Sequence, residues 1–212
     1  MSWTDAGFDV LGQHVLWTDL VGNAAALTTV WLAIKKTIWT WPVQLVGSVL
    51  LFTASISAHI TGNALKQALF GLLAVYGWVR WSRGTRDGAQ LPIRPATRRE
   101  RTWLIAVMAA GTVAVALLFT YLNSRGLNIS WAPWPDAYIF VGSAVATWAQ
   151  GRALVDFWMI WVAVDVVGVP LAVRSGLVVS GLVYGLFFVM VLIGFRDWLR
   201  QSRAPRPEAV TV

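Results

Sequence analysis

The chain contains no cysteine and only two histidines among its 212 residues. Without thiols there are no disulfides, no thiolate nucleophile and no Cys-based metal site. Charged side chains are scarce at 13%, with ten acidic and 17 basic residues. No glycine-rich phosphate cradle, two-metal carboxylate set or Ser/His/Asp arrangement stands out, so neither a metal nor a cofactor is expected. The first ten residues hold two aspartates and no Lys or Arg, the wrong sign for a cleavable signal peptide. What fills the chain is apolar: 57% hydrophobic residues, 14 tryptophans and a mean hydropathy of +0.62. Soluble domains are about 45–50% apolar and about 25% charged, so the sequence reads as an all-α membrane protein. The net charge of +7 sits mostly in one hydrophilic loop and the C-terminal stretch. Membrane topology accounts for it better than a nucleic-acid partner does.

Crossing a hydrocarbon core takes roughly 20 apolar residues. That criterion predicts seven transmembrane helices, near 14–34, 38–58, 62–82, 102–123, 135–153, 157–174 and 177–198. Residues 1–13 read as an external lead-in, with Trp3 and Phe8 placed to rest on the membrane surface. Residues 14–82 form a first three-helix bundle, and 83–101 a basic cytoplasmic loop. Residues 102–134 supply a linker helix with its external loop, 135–199 a second three-helix bundle, and 200–212 a disordered cytoplasmic tail. The Lys/Arg bias favours the N-terminus outside and the C-terminus inside. In that orientation Lys35, Lys36, the arginines from Arg80 to Arg101, Arg152 and those of the tail all face inward. Only Lys66, Arg125 and Arg174 fall on outer connections.

A weak internal repeat is visible. Helix 3 ends in Gly77-Trp78-Val79-Arg80-Trp81 and helix 7 in Gly194-Phe195-Arg196-Asp197-Trp198: glycine, aromatic, two residues, tryptophan. Both middle helices open with tryptophan pairs, Trp39 with Trp41 and Trp158 with Trp161. Helices 1–3 and 5–7 therefore read as two parallel repeats joined by helix 4. Transporters built this way carry their site near the midplane, between the repeats.

The stretch from Phe157 to Pro170 is the anomaly in the hydropathy. Trp158, Trp161 and Asp165 are spaced i, i+3, i+7 and share one face of a helix. An ionisable residue at membrane depth marks an internal or ligand-facing position by default. Trp158 and Trp161 suit a flat ring; the competing role is the interfacial belt that tryptophan favours. Asp165 suits a hydroxyl or ring N–H of such a molecule; the competing role is a structural carboxylate paired with an arginine or bonded to neighbouring polar helices. Helix 2 carries Gln44, Ser48, Ser55 and His59 close to one face, and helix 5 carries Asp136, Ser143, Thr147 and Gln150. Serines and threonines also serve close helix packing, so Gln44, Gln67 and Gln150 rank higher. Asn23, Tyr76, Tyr184 and Trp41 complete the substrate-site candidates. Pro170 removes an i→i−4 bond and offers a hinge.

The order of Ile38-Trp39-Thr40-Trp41-Pro42, Tyr76-Gly77-Trp78 with Trp81, Asp136-Ala137, Trp158-Met159-Ile160-Trp161 and Gly194 with Trp198 resembles the PnuC family of vitamin transporters. The similarity covers nearly the whole chain except its ends and the basic loop. It implies a 3+1+3 fold like that of the SWEET sugar transporters, multi-pass in the cytoplasmic membrane. It also implies facilitated diffusion of a vitamin, trapping by intracellular phosphorylation, and possible assembly as a homotrimer. Nicotinamide riboside members favour asparagine in helix 6 after the tryptophan pair, where this chain has Asp165. In its Ala- and Arg-rich, Lys-poor style the chain is similar to the actinobacterial riboflavin-transporting branch. Riboflavin is therefore the expected substrate, with nicotinamide riboside or thiamine as alternatives. A non-transporting receptor or scaffold that recruits a partner through the basic loop is the alternative of a different class. An intramembrane enzyme is disfavoured by the missing cysteine.

Overall fold

The computed structural model describes residues 7–10, 13–57, 61–85, 92–174 and 178–203. Trp3, His59, loop residues 86–91 and the tail after 203 lie outside the described residues. So do the side chains of Phe8, Asn23, Ser55 and Tyr184.

Among the described residues seven helices form: α1 Trp17–Ile34, α2 Thr40–Ser57, α3 Thr61–Thr85, α4 Arg98–Ser124, α5 Pro133–Gly151, α6 Phe157–Arg174 and α7 Val178–Arg203. They are preceded by a hairpin of β1 Gly7–Val10 and β2 Gln13–Leu16, paired antiparallel from Gly7 opposite Leu16 to Val10 opposite Gln13. This corrects the helix start expected near 14. Two short runs separated by two residues satisfy each other's backbone as a hairpin, which delays the helix to Trp17. The start of α4 also moves, from 102 to Arg98. A capping box sets it there: the Thr97 hydroxyl accepts from the Glu100 N–H, and the Glu100 carboxylate accepts from the Thr97 N–H. Two orphan amides of the first turn are thereby satisfied.

The helices pack in the ring order α1, α2, α3, α5, α6, α7, with α7 returning to α1; α4 lies outside and packs on α5. Only Leu104 and Ala116 of α4 are buried, as suits a helix surrounded by lipid.

One register relates α1–α3 to α5–α7. Trp41 and Trp158, Gly77 and Gly194, and Trp81 and Trp198 are each 117 positions apart. The backbone repeats at the same spacing. Lys36 (φ 56°) and Ala153 (φ 53°) both adopt the left-handed conformation just past their helices. Around them Lys36 N–H donates to Ala33 and Thr37 N–H to Leu32; Ala153 N–H donates to Gln150 and Leu154 N–H to Ala149. These are paired Schellman endings, which satisfy the last carbonyls of each helix. A non-glycine residue there costs roughly 1–2 kcal/mol, which the two equivalent turns both carry. This register corrects the alignment of the tryptophan pairs: Trp41 corresponds to Trp158, Gln44 to Trp161, Ser48 to Asp165 and Gln67 to Tyr184, while Trp39 is 65% exposed.

Candidate substrate site

Tryptophan partition follows burial. Trp31, Trp39, Trp78, Trp103, Trp131 and Trp134 are exposed on the outer surface, while Trp41, Trp81, Trp158 and Trp198 are buried in the core. Trp161 and Trp148 are half-buried.

Two equivalent wedges floor the site near the end of the molecule that carries the arginine loop. Trp41 of α2 seats on Gly77 of α3, and Trp158 of α6 on Gly194 of α7; a Cβ at Gly77 would come 2.3 Å, and one at Gly194 2.4 Å, from carbons of the six-membered indole ring. Trp41 meets Trp81 edge-on at 5.4 Å between ring centroids, and Trp158 meets Trp198 edge-on at 6.0 Å. Such aromatic pairs add about 0.5–1.5 kcal/mol beyond area burial. The outer tryptophan of each wedge then reaches across to the other triplet. Trp81 Nε1 donates to the Gln150 carbonyl of α5 at 3.3 Å, and Trp198 Nε1 donates to the Ala33 carbonyl of α1 at 3.2 Å. Donors and acceptors are again 117 positions apart.

Deeper in, polar groups gather on the helix faces turned inward. Ser48 of α2, Gln67 of α3, Ser143, Thr147 and Gln150 of α5, and Asp165 of α6 are all buried, on four helices that follow one another around the ring. By rise per residue, Asp165 lies about 10 Å beyond Trp158 and Ser48 about 10 Å beyond Trp41. Packing sets the depth. A Cβ at Gly142 would be 2.5 Å from Val164, placing Ser143 level with Asp165, and Gly71 lies against Ser48. The opposite face of α6 presents Met159 and Val166 outward, 47% and 62% exposed.

Four buried polar atoms in these two layers have no hydrogen-bond partner among the described residues: Trp41 Nε1, Trp158 Nε1, Gln150 Nε2 and Asp165 Oδ2. Leaving such a group unmatched costs about 1–3 kcal/mol, more when it is charged. Among the described residues Asp165 forms no ion pair, so the arginine-paired role has no support. Three donors and one acceptor are thus left unmatched, a set complementary to a molecule that is rich in acceptors and carries at least one N–H or O–H.

Of the sequence candidates, Trp41, Trp158, Gln67, Gln150 and Asp165 are buried, and Trp161, Gln44 and Tyr76 are half-buried. Tyr76 packs against Gly151, where a Cβ would be 2.8 Å from its ring. Sequence reasoning missed Gly77 and Gly194 as wedge seats and Trp81 and Trp198 as cross-links. Their signal was in the shared Gly-to-Trp spacing, read only as a repeat.

A family profile described as nicotinamide mononucleotide transporter matches residues 16–200, which is most of the chain. The chain belongs to the PnuC family. Among its relatives is the riboflavin/roseoflavin transporter RibM of Streptomyces davaonensis, 47% identical over 211 residues, covering 98% of this chain and 97% of that one. The nicotinamide riboside transporter PnuC of Escherichia coli is 26% identical over 212 residues, covering 91% and 89%. The crystal structure of the vitamin B3 transporter PnuC has the same fold, with a TM-score of 0.69 at 17% identity over 88% of this chain and 82% of that one. PnuC relatives are transporters and membrane proteins, and the helical architecture described here is theirs.

Proposed function

We propose that this chain takes up riboflavin across the cytoplasmic membrane by facilitated diffusion, with phosphorylation inside the cell trapping the product. One observation carries the choice of vitamin: 47% identity, end to end, to a riboflavin/roseoflavin transporter. The site chemistry supports it. An isoalloxazine ring presents several carbonyl and ring-nitrogen acceptors with a single ring N–H. The unmatched indole and amide donors of Trp41, Trp158 and Gln150 suit the acceptors, and Asp165 suits the N–H or a ribityl hydroxyl. Trp161, with its counterpart Gln44, offers a ring face and an amide between the two layers. Gln67, Tyr76, Tyr184 and Asn23 are the proposed second set of polar contacts.

The 117-residue register supports a 3+1+3, SWEET-like plan of two parallel three-helix repeats with α4 as linker. In this reading α1–α3 make the first bundle, α4 the linker and α5–α7 the second bundle. The Lys/Arg bias supports the N-terminus outside and the loop-side end in the cytoplasm. In this plan the bonds from Trp81 and Trp198 join one repeat to the other at the cytoplasmic end. They close that exit, and opening it breaks both. Homotrimer assembly is carried over from the family resemblance alone.

The test is binding by purified protein, read as quenching of intrinsic tryptophan fluorescence. Riboflavin should bind at least tenfold tighter than nicotinamide riboside or thiamine. Equal or weaker riboflavin binding would remove this substrate, and preferential nicotinamide riboside binding would favour the activity named for the Escherichia coli relative. The scaffold alternative is tested by deleting residues 86–91, which leaves the packed part of the loop in place. Saturable flux that survives the deletion counts against it.

A further inference from the structure

We infer that a groove between the first turn of α4 and the paired ends of α6 and α7 binds an anionic phospholipid, gripping its phosphate with arginines at the loop-side end. The groove encloses about 310 Å³. Its walls are apolar, built from Val155, Met159, Phe195 and Leu199, and its polar side is the pair of Arg101 and Asp156. Met159 belongs to the exposed face of α6, turned away from the face of Trp161 and Asp165. The groove is therefore separate from the substrate site and opens toward lipid.

Its electrostatics favour an anion despite the carboxylate. Both oxygens of Asp156 are engaged inside the protein, Oδ1 by Arg101 Nε at 2.5 Å and Oδ2 by the Ala96 N–H at 2.6 Å. Arg101 is 55% exposed at its side chain, and among the described residues its terminal nitrogens have no partner. Arg98 lies one turn before Arg101 on α4, and Arg203 one turn after Leu199 on α7. Each shares the groove-lining face of its helix, and both are exposed. Arg101 lines the apolar trough, and Arg98 and Arg203 stand one turn beyond it on the same helix faces, within side-chain reach of a phosphate seated there. The trough continues along α7 through Leu192, Phe195 and Leu199, at i, i+3 and i+7, with Leu192 exposed. That stripe suits an acyl chain and would be idle for a soluble phosphate.

The test uses full-length protein in neutral detergent and native mass spectrometry, with phosphatidylglycerol, phosphatidylcholine and glycerol phosphate as probes. Phosphatidylglycerol should bind at least tenfold tighter than phosphatidylcholine, and glycerol phosphate should not compete at matching concentrations. The double substitution Arg98→Gln/Arg203→Gln leaves the Arg101–Asp156 pair intact and should weaken phosphatidylglycerol binding roughly tenfold or more. Met159→Trp fills the trough with all arginines present and should also reduce retention, which keeps the test decisive if the double variant does not fold. Equal binding of the two lipids, competition by glycerol phosphate, or undiminished retention in folded Met159→Trp protein would overturn the proposal. Vitamin binding plays no part in the readout.

Discussion

Asp165 is held in the interior of an apolar helix with one carboxylate oxygen unmatched, an arrangement that works against stability unless a ligand completes it. Replacing it with alanine should therefore leave the protein folded. A hydrogen bond to a charged group is worth about 1.5–3 kcal/mol, so Asp165→Ala should weaken riboflavin binding roughly tenfold to a hundredfold. Quenching titrations beside a thermal melt check this; lost expression with unchanged affinity would make the carboxylate structural. The glycines under Trp41 and Trp158 behave in the opposite way. Their lack of a side chain is the packing, so Gly77→Ala and Gly194→Ala should each destabilise by about 1–3 kcal/mol. A thermal melt that leaves either variant unchanged would contradict the wedge geometry.

At the scale of elements, the α3–α4 connection is more than a run of solvated arginines. Its second half adds a parallel bridge to the α5–α6 turn, with Arg94 N–H donating to the Ala153 carbonyl at 3.3 Å and Val155 N–H to the Arg94 carbonyl at 3.0 Å. Glu100 then gathers Arg94 at 2.7 Å and Arg152 at 3.3 Å, while Asp156 holds Arg101 and Ala96. The equivalent α1–α2 turn has Trp39 where the other has Asp156, so the strap has nothing matching to grip there. Asp156→Asn removes the charge shared by both contacts, and hydrogen exchange at Ala96 should rise while the helices stay protected. Thr97→Ala removes the α4 cap and should cost about 1 kcal/mol, measurable by thermal unfolding.

For the molecule as a whole, the reciprocal indole bonds join α3 to α5 and α7 to α1 at the loop-side end. Trp81→Phe and Trp198→Phe keep a ring in each wedge and delete only the donor. Since the two bonds occupy equivalent positions, the two variants should change riboflavin flux in proteoliposomes in the same direction and by similar factors. A large effect from one and none from the other would contradict a gate shared between two equivalent repeats. With passive transport, an imposed pH gradient should leave the flux through all of these proteins unaltered.

The number and type of helices follow from hydropathy alone, because a bilayer demands about 20 apolar residues for each crossing and lets the backbone satisfy itself only within helices or closed barrels. The face shared by Trp158, Trp161 and Asp165 is likewise a consequence of helical spacing. Other features depended on contacts between residues far apart in the chain. Periodicity cannot tell a belt tryptophan from a wedge, since both are large aromatics near helix ends; Trp39 and Trp41 are two positions apart, yet one is 65% exposed and the other fully buried. The hairpin before α1 and the capping box before α4 are local, and their marks stand in the sequence as two short runs two residues apart and as Thr97 three residues before Glu100. The unmatched Oδ2 of Asp165 and the cross-links from Trp81 and Trp198 exist only once the ring closes. They depend on which helices become neighbours, and that is set by contacts between residues far apart in the chain, 69 positions for Trp81 with Gln150 and 165 for Trp198 with Ala33.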